Sequence, residues 1–266
     1  MKIGVIGLGK LGSVLAEVLA EHNEVVGVDK DDDFSVLKDC EVVFNVVNTP
    51  SKENGNFDDS ILFESTSWAV SHLKKCKVYV VVCTVMPGTC RNLKIILPDC
   101  KVCYNPEFIR LNSIKKDMKN PDFVLIGEED KESGEIIEKI YRQFVNNFAL
   151  GKIKRMSWES AELAKITLNS YITMKITFAN ILGQIAKKIG ADATQILDAI
   201  GQDYRIGTSY FKHGGAYGGP CFPRDNIAFS NVAGDIKNYA LLTDEINKIV
   251  AAEGYFSDEE RYMNIL

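Results

Sequence analysis

The residues best suited to chemistry sit in the stretch Gly218-Gly219-Pro220-Cys221-Phe222-Pro223-Arg224-Asp225, where one cysteine is framed by two glycines and two prolines. Such a frame holds a thiol on a backbone of constrained shape, with a cation and a carboxylate following it closely in sequence. Only the thiolate is a strong nucleophile, so the chemistry this arrangement suits is covalent attack on an electrophilic carbon. The competing reading is a buried structural cysteine, which is how Cys40, Cys76, Cys83, Cys90, Cys100 and Cys103 read. Their irregular spacing contains no paired CxxC arrangement, so no metal-ligand set is expected, and a reducing cytoplasm fits better than a disulfide framework.

A second stretch, Gly7-Leu8-Gly9-Lys10-Leu11-Gly12, follows an apolar run and opens a helical pattern. The first glycine permits a tight turn, the second lets backbone approach a pyrophosphate, and the third lets helix and strand pack closely. The free N–H groups of the helix start would face the phosphates. Asp29 closes the next apolar run, where its carboxylate would accept hydrogen bonds from a ribose diol and repel a 2′-phosphate. That combination predicts NAD as cofactor.

The elements that must position these groups change character along the chain. Lys2–Ile6, Val25–Val28, Val42–Val47, Val78–Val82, Val102–Tyr104 and Phe123–Ile126 are short apolar, mostly β-branched runs. They suit strands of a parallel sheet buried on both faces. Alternation with helical patterns such as Leu11–Ala20 predicts a doubly wound α/β, Rossmann-type domain. From Trp158 to Ile189 a long helical pattern runs without proline and with Gly183 as its one glycine, with Ser157 as N-cap, Glu159 and Glu162 near its start, and Gly190 as its stop. It would be about 48 Å long. Shorter helices are expected near Thr194–Ile200 and Tyr239–Ala252. The fold class is therefore α/β, with an NAD-binding domain over 1–152 and an all-helical domain carrying the cysteine over 153–266.

Composition narrows the function classes. The 266 residues are 46% hydrophobic and 25% charged with a net charge of −5, which excludes bulk disorder and argues against non-specific nucleic-acid binding. No apolar stretch is long enough to cross a membrane, and Met1–Gly12 does not read as a signal peptide.

Taken in order, the segments Gly7–Gly12 with Asp29, Asn48-Thr49-Pro50, Thr84-Val85-Met86-Pro87-Gly88-Thr89, Tyr104-Asn105-Pro106-Glu107-Phe108-Ile109-Arg110, Glu162-Leu163-Ala164-Lys165 with Asn169, Arg205-Ile206-Gly207 and the cysteine loop give the chain a further identity. It resembles the UDP-glucose/GDP-mannose dehydrogenase family. The resemblance implies oxidation of the primary alcohol of a nucleotide sugar to a carboxylate, with two NAD per substrate, in polysaccharide biosynthesis. It makes Cys221 the nucleophile that forms a thiohemiacetal and then a thioester. Glu107 and Asp225 would handle protons and water, Thr84 would help position that water, and Lys165 and Asn169 would face the developing oxyanion. Their four-residue spacing on one helix face supports a joint role.

By position, cofactor contacts fall to Gly7, Leu8, Gly9, Lys10, Leu11, Gly12, Asp29, Thr49, Thr84 and Arg224. Substrate contacts fall to Phe108, Ile109, Arg110, Lys165, Asn169, Arg205, Tyr210, Phe211, Lys212, His213, Gly214 and Gly218. Arg224 stands where the family usually has lysine, keeping charge but not geometry. The family arginine matching Arg205 reaches a neighbouring subunit's site, which implies a homodimer through the long helix.

The sequence also departs from the family. Leu111 stands where a second glutamate is usual, and Ile181 replaces the glutamate that usually follows Asn180. The stretch between Asp29 and Val42 is short. The expectation is a short form without the C-terminal domain that covers the nucleotide half of the substrate. Two other readings stay open: a two-electron β-hydroxyacid-type dehydrogenase, which needs no thiol, and a truncated non-catalytic NAD-binding protein.

Overall fold

The computed structural model describes residues 1–109, 113–146, 151–234 and 238–252. Arg110 and Leu111 lie outside the described residues. The chain forms two compact units, one of Met1–Lys52 with Phe57–Lys165, the other of Glu53–Asn56 with the chain from Ile166 onwards.

The first unit is built on seven strands: β1 (Lys2–Ile6), β2 (Glu24–Val28), β3 (Val42–Asn45), β4 (Val78–Val81), β5 (Lys101–Tyr104), β6 (Val124–Glu128) and β7 (Ile153–Ser157). They lie in the order β2-β1-β3-β4-β5-β6-β7, parallel throughout except between β5 and β6. Six of the seven correspond to the apolar runs of the sequence. β7 does not: Ile-Lys-Arg-Met-Ser has no apolar pattern, because it is an edge strand held by its pairing with β6 from Val124↔Ile153 to Glu128↔Ser157. That pairing places β7 in the sheet, and the first unit runs on past Lys152 to Lys165.

The central strands show why continuous apolar runs were needed. Along β3, Val42 and Phe44 face one buried cluster while Val43 faces the other; along β4, Val78 and Val80 oppose Tyr79 and Val81 in the same way. Successive side chains alternate sides, so a strand covered on both faces is apolar at nearly every position; the buried Asn45 that ends β3 donates to Ser65 and Tyr79. One face is covered by α1 (Lys10–Ala20), α4 (Ile114–Lys119) and α5 (Lys131–Tyr141); the other carries α2 (Ser60–Val70) and α3 (Thr89–Ile96). Fully burying each such side chain contributes about 1.5–3 kcal/mol. Between β2 and β3 a 3-10 segment, Phe34–Asp39, takes the place of a full helix, as the shortness of this stretch predicts.

Helix α6 (Trp158–Ile189) has the bounds read from the sequence. Trp158 Nε1 donates to the Val102 carbonyl oxygen at 2.8 Å, anchoring the helix start to β5. In the second unit, α7 (Ala193–Gly201) is capped by Asp192, whose carboxylate accepts from Thr194 and Gln195 N–H. The unit ends with α8 (Phe222–Val232) and α9 (Asn238–Ala252). Among the described residues no helix is long and apolar enough to cross a membrane.

Candidate active site

In the first unit the predicted residues gather because they follow strand ends. Gly7 follows β1, Asp29 follows β2, Thr49 follows β3, Thr84 follows β4 and Glu107 follows β5. In an open parallel sheet, loops at the carboxyl ends of the strands form the ligand crevice, and here the chain reverses its direction of travel at β1 and β3.

The glycine turn has the geometry a dinucleotide needs. Gly7 takes φ +88°, and a Cβ on Gly12 would lie 1.8 Å from the Gly7 carbonyl oxygen. Neither position admits another residue without moving the turn, whereas Gly9, at the N-cap of α1, faces open space where a phosphate would approach. Asp29 Oδ2 accepts from Leu8 N–H at 3.2 Å, which ties the turn to the acid. A cavity of about 150 Å³ lies beside them, with Asp29 at one side and Ile6, Val47 and Trp68 supplying apolar wall. A flat base and a ribose diol fit such a lining. Lys10 is exposed and Leu11 half-buried on the first turn of α1.

Thr49 is 5% exposed and its Oγ1 donates to the Thr84 carbonyl oxygen at 2.6 Å, fixing the β3 and β4 loops against each other. A tie that the sequence did not single out holds the second loop. Glu162, fully buried, accepts from Gly88 N–H at 2.6 Å and Cys90 N–H at 2.8 Å. Its carboxylate thus caps the start of α3 from across the unit, and burial pushes its pKa up against the pull of those two donors. Read as a first-turn acid of its own helix, it serves a different one.

Glu107 sits half-buried at the end of β5. Its Oε1 lies 2.8 Å from the Tyr141 hydroxyl, which also lies 2.6 Å from Asn105 Oδ1. Burial pushes the Glu107 carboxyl above the ordinary carboxylate range, against any hydrogen bond received from Tyr141 and the Lys165 charge. Lys165 Nζ donates to the Glu107 carbonyl oxygen at 2.6 Å and stands 4.6 Å from the centre of the Phe108 ring. Phe108 in turn packs on Phe123 at 4.6 Å, and Ile109 packs against the cluster on the other face of the sheet. Tyr141 was not foreseen, since it lies far from Glu107 in sequence and only the sheet brings α5 to β5.

In the second unit, Cys221 is the N-cap of α8, exposed, with Pro223 in the first turn. The other six cysteines are buried and form no disulfide with one another, and burial pushes Cys40 up to about 11 and Cys103 to about 12. One turn on, Asp225 is 1% exposed. Its Oδ2 accepts from Asn169 Nδ2 at 2.6 Å and its Oδ1 from Arg224 Nε at 3.3 Å, while its own N–H donates to the Cys221 carbonyl oxygen at 2.8 Å. Asn169 and Asp225, which the resemblance gives different roles, are thus in contact.

The loop before α8 is held by the same helix. Asn180 Oδ1 accepts from Gly214 N–H at 2.9 Å and Gly215 N–H at 3.4 Å, and its Nδ2 donates to the Gly215 carbonyl oxygen at 2.8 Å. Tyr210, the one non-glycine residue with positive φ (56°) among the described residues, packs edge-on to Phe222 at 6.0 Å. The expected substrate residues of this loop are placed unevenly. Lys212 and Gly218 are exposed. Phe211, 6% exposed, packs with Ala179 and Leu197 as core, and the His213 ring lies against Gly183 with Nε2 3.2 Å from Thr194 Oγ1. Arg205 is exposed and paired with Asp203.

Residues 32–145 match the family model for the UDP-glucose/GDP-mannose dehydrogenase family, NAD binding domain, and residues 159–249 match that for the same family's central domain. A UDP-glucose 6-dehydrogenase of Rickettsia bellii is 37% identical over 76% of this chain and 46% of its own length. A GDP-mannose 6-dehydrogenase of Pseudomonas aeruginosa is 33% identical over 85% of this chain and 62% of its own. The chain thus spans about half to under two thirds of these curated relatives. The solved structure of a UDP-glucose dehydrogenase from Pyrobaculum islandicum superimposes with a TM-score of 0.83 at 25% identity, covering 93% of this chain and 68% of that one. With an NAD-binding Rossmann domain, a helical region on one long helix and both family segments matched, this chain belongs to the UDP-glucose/GDP-mannose dehydrogenase family of NAD-dependent oxidoreductases.

Proposed function

We propose that the chain is a nucleotide-sugar 6-dehydrogenase that carries a primary alcohol to a carboxylate through covalent attachment to Cys221. The observation that carries this reading is the contrast among the cysteines: six are buried, and the seventh is exposed at a helix N-cap one turn from a buried carboxylate.

NAD, when bound, accepts the hydride removed in each oxidation. The glycine turn and the start of α1 hold its pyrophosphate, and Asp29 holds the adenosine ribose. The first oxidation turns the alcohol into an aldehyde. The Cys221 sulfur adds to the aldehyde carbon, and the carbonyl oxygen takes up a proton, giving a thiohemiacetal. Loss of a second hydride and of the hydroxyl proton gives a thioester. Water then adds, the carbon–sulfur bond breaks, and the acid leaves with the thiol restored. Lys165 and Asn169 stabilise the oxyanion of the addition steps, and Glu107 and Asp225 move protons for water.

Arg110, Lys165, Arg205 and Lys212 together offset the diphosphate charge of the substrate. Tyr171, Phe178 and Ile185 recur at seven-residue intervals on α6 and are about half exposed, as a helix face shared between two copies would be. They support a homodimer, in a reducing cytoplasm that keeps the thiols free.

Turnover of a panel of nucleotide sugars with NAD tests the reading. Two NADH per acid are expected, and Cys221→Ser should lower acid formation by about three orders of magnitude or more while the melting temperature stays unchanged. One NADH per product with an active Cys221→Ser variant would instead mark a two-electron dehydrogenase. Tight NAD binding without turnover would mark a non-catalytic protein.

A further inference from the structure

Three polar groups at the end of β5 form a chain whose protons can be counted. Asn105 is 1% exposed, and its Nδ2 donates to the Leu125 carbonyl oxygen at 2.9 Å. That contact fixes the amide, because the flipped orientation would set two acceptor oxygens against each other. Asn105 Oδ1 is therefore the atom that lies 2.6 Å from the Tyr141 hydroxyl, while Glu107 Oε1 lies 2.8 Å from the same hydroxyl. Tyr141 is 4% exposed, and burial pushes its phenol well above its ordinary range, so it stays neutral with one proton. One proton thus faces two acceptor oxygens.

If Tyr141 gave its proton to an ionised Glu107, the buried Asn105 oxygen would meet a lone pair at the shorter of the two distances. An unpaired buried acceptor is costly, and more so where it is held against another oxygen. If Tyr141 donates to Asn105, the shorter contact is satisfied, and the second proton must come from Glu107. We propose that Glu107 is held as the neutral carboxylic acid, donating to the Tyr141 oxygen while Tyr141 donates to Asn105. Tyr141 and Asn105 are then positioning residues that keep a proton on Glu107.

The other charged group acting on this carboxyl among the described residues is the Lys165 ammonium, which works against the neutral form. Its Nζ bonds the Glu107 carbonyl oxygen, and the burial that raises the carboxyl outweighs its pull. The inference rests on the reading of Glu107 as a proton-transfer group and deepens it. Glu107 enters the reaction as a proton donor, and it becomes a base only after giving that proton up.

The test needs neither substrate nor turnover, so it can stand if the dehydrogenase reading falls. Carboxyl-carbon NMR of the full chain labelled with 13C at glutamate follows each carboxyl through pH, and Glu107→Gln assigns the Glu107 signal by its loss. The expected result is a Glu107 still protonated at pH 7, where exposed glutamates are ionised. In Tyr141→Phe the acid loses its acceptor and the carboxylate loses an opposing lone pair, so the midpoint should fall by about one pH unit. A Glu107 ionised at pH 7 in the unmodified protein overturns the proposal. So does a midpoint that is unchanged or higher in Tyr141→Phe, since that is the behaviour of a hydroxyl donating to a carboxylate or of a bystander.

Discussion

The two units place their reactive groups by different means. In the first, Thr84 and Glu107 follow strands whose side chains are almost wholly buried, and the sheet fixes where each loop begins. In the second, Cys221 and its neighbours ride on a loop and a helix start, and polar side chains of one long helix fix them: Asn169 on Asp225, Asn180 on Gly214 and Gly215. The first arrangement spreads its stability over dozens of apolar contacts. The second concentrates it in a few hydrogen bonds, so single polar substitutions should cost more there.

Asn180→Leu is the sharpest probe of that difference. It keeps the side chain's size but removes the amide that bonds two N–H groups and one carbonyl oxygen of the Gly214–Gly215 backbone. Each such hydrogen bond contributes about 0.5–1.5 kcal/mol, so a loss of about 2–4 kcal/mol for the three is expected in urea unfolding. A loss below 1 kcal/mol would mean that the loop is held mainly by Phe211 and its apolar neighbours.

Glu162→Gln makes the matching probe in the first unit. The amide keeps one acceptor oxygen for Gly88 or Cys90 but turns an N–H toward the other, a mismatch of about 1–2 kcal/mol. Its pH dependence has a definite sign. Burial raises the folded Glu162 above its unfolded value, so the folded state binds more proton than the unfolded state between the two. The stability this group contributes is fully present below its unfolded pKa and is lost as pH rises through the folded one. The glutamine variant does not titrate there. Its deficit relative to the unmodified protein should therefore shrink as pH rises from about 4.5, the carboxylic-acid range, toward neutrality. A deficit that grows with pH over that range would mean that the two N–H donors, and not burial, dominate the site.

The same contrast explains what the sequence discloses. Central strands and the long helix are legible because burial imposes a pattern: valine-rich, fully buried runs along β3 and β4, and an unbroken helical pattern from Trp158 to Ile189. The glycine turn is legible because its chain geometry excludes other residues. β7 is not, since an edge strand is held by backbone pairing and leaves no apolar pattern. Tyr141 is not, because what sets it beside Glu107 is the stacking of α5 on the sheet, and nothing local to either residue encodes that. Glu162 and Phe211 are shaped by the same physics. Each sits in a motif whose residues suggest a role, yet what the side chain touches is decided by its position across the fold: Glu162 caps α3, and Phe211 fills core with Ala179 and Leu197.

Gly183 offers the smallest effect and the most discriminating sign. It is the one glycine in the interior of α6, where replacement by alanine ordinarily stabilises a helix by about 1 kcal/mol. Here a Cβ would lie 2.8 Å from His213 Nδ1 and 3.1 Å from two of its carbons. The imidazole cannot simply swing aside, because its Nε2 is in contact with Thr194 on α7. Overpacking of this kind costs about 1–3 kcal/mol, so the helix gain is offset and Gly183→Ala should come out about 1 kcal/mol less stable in urea unfolding. Adding His213→Ala removes the ring that the new methyl meets. In that background only the Cβ contact at 3.1 Å remains, so Gly183→Ala should regain most of the ordinary helix stabilisation, and the change of sign between the two backgrounds measures the coupling directly. If Gly183→Ala is stabilising with His213 present, the loop moves freely over the helix, and the glycine does not make room for the ring.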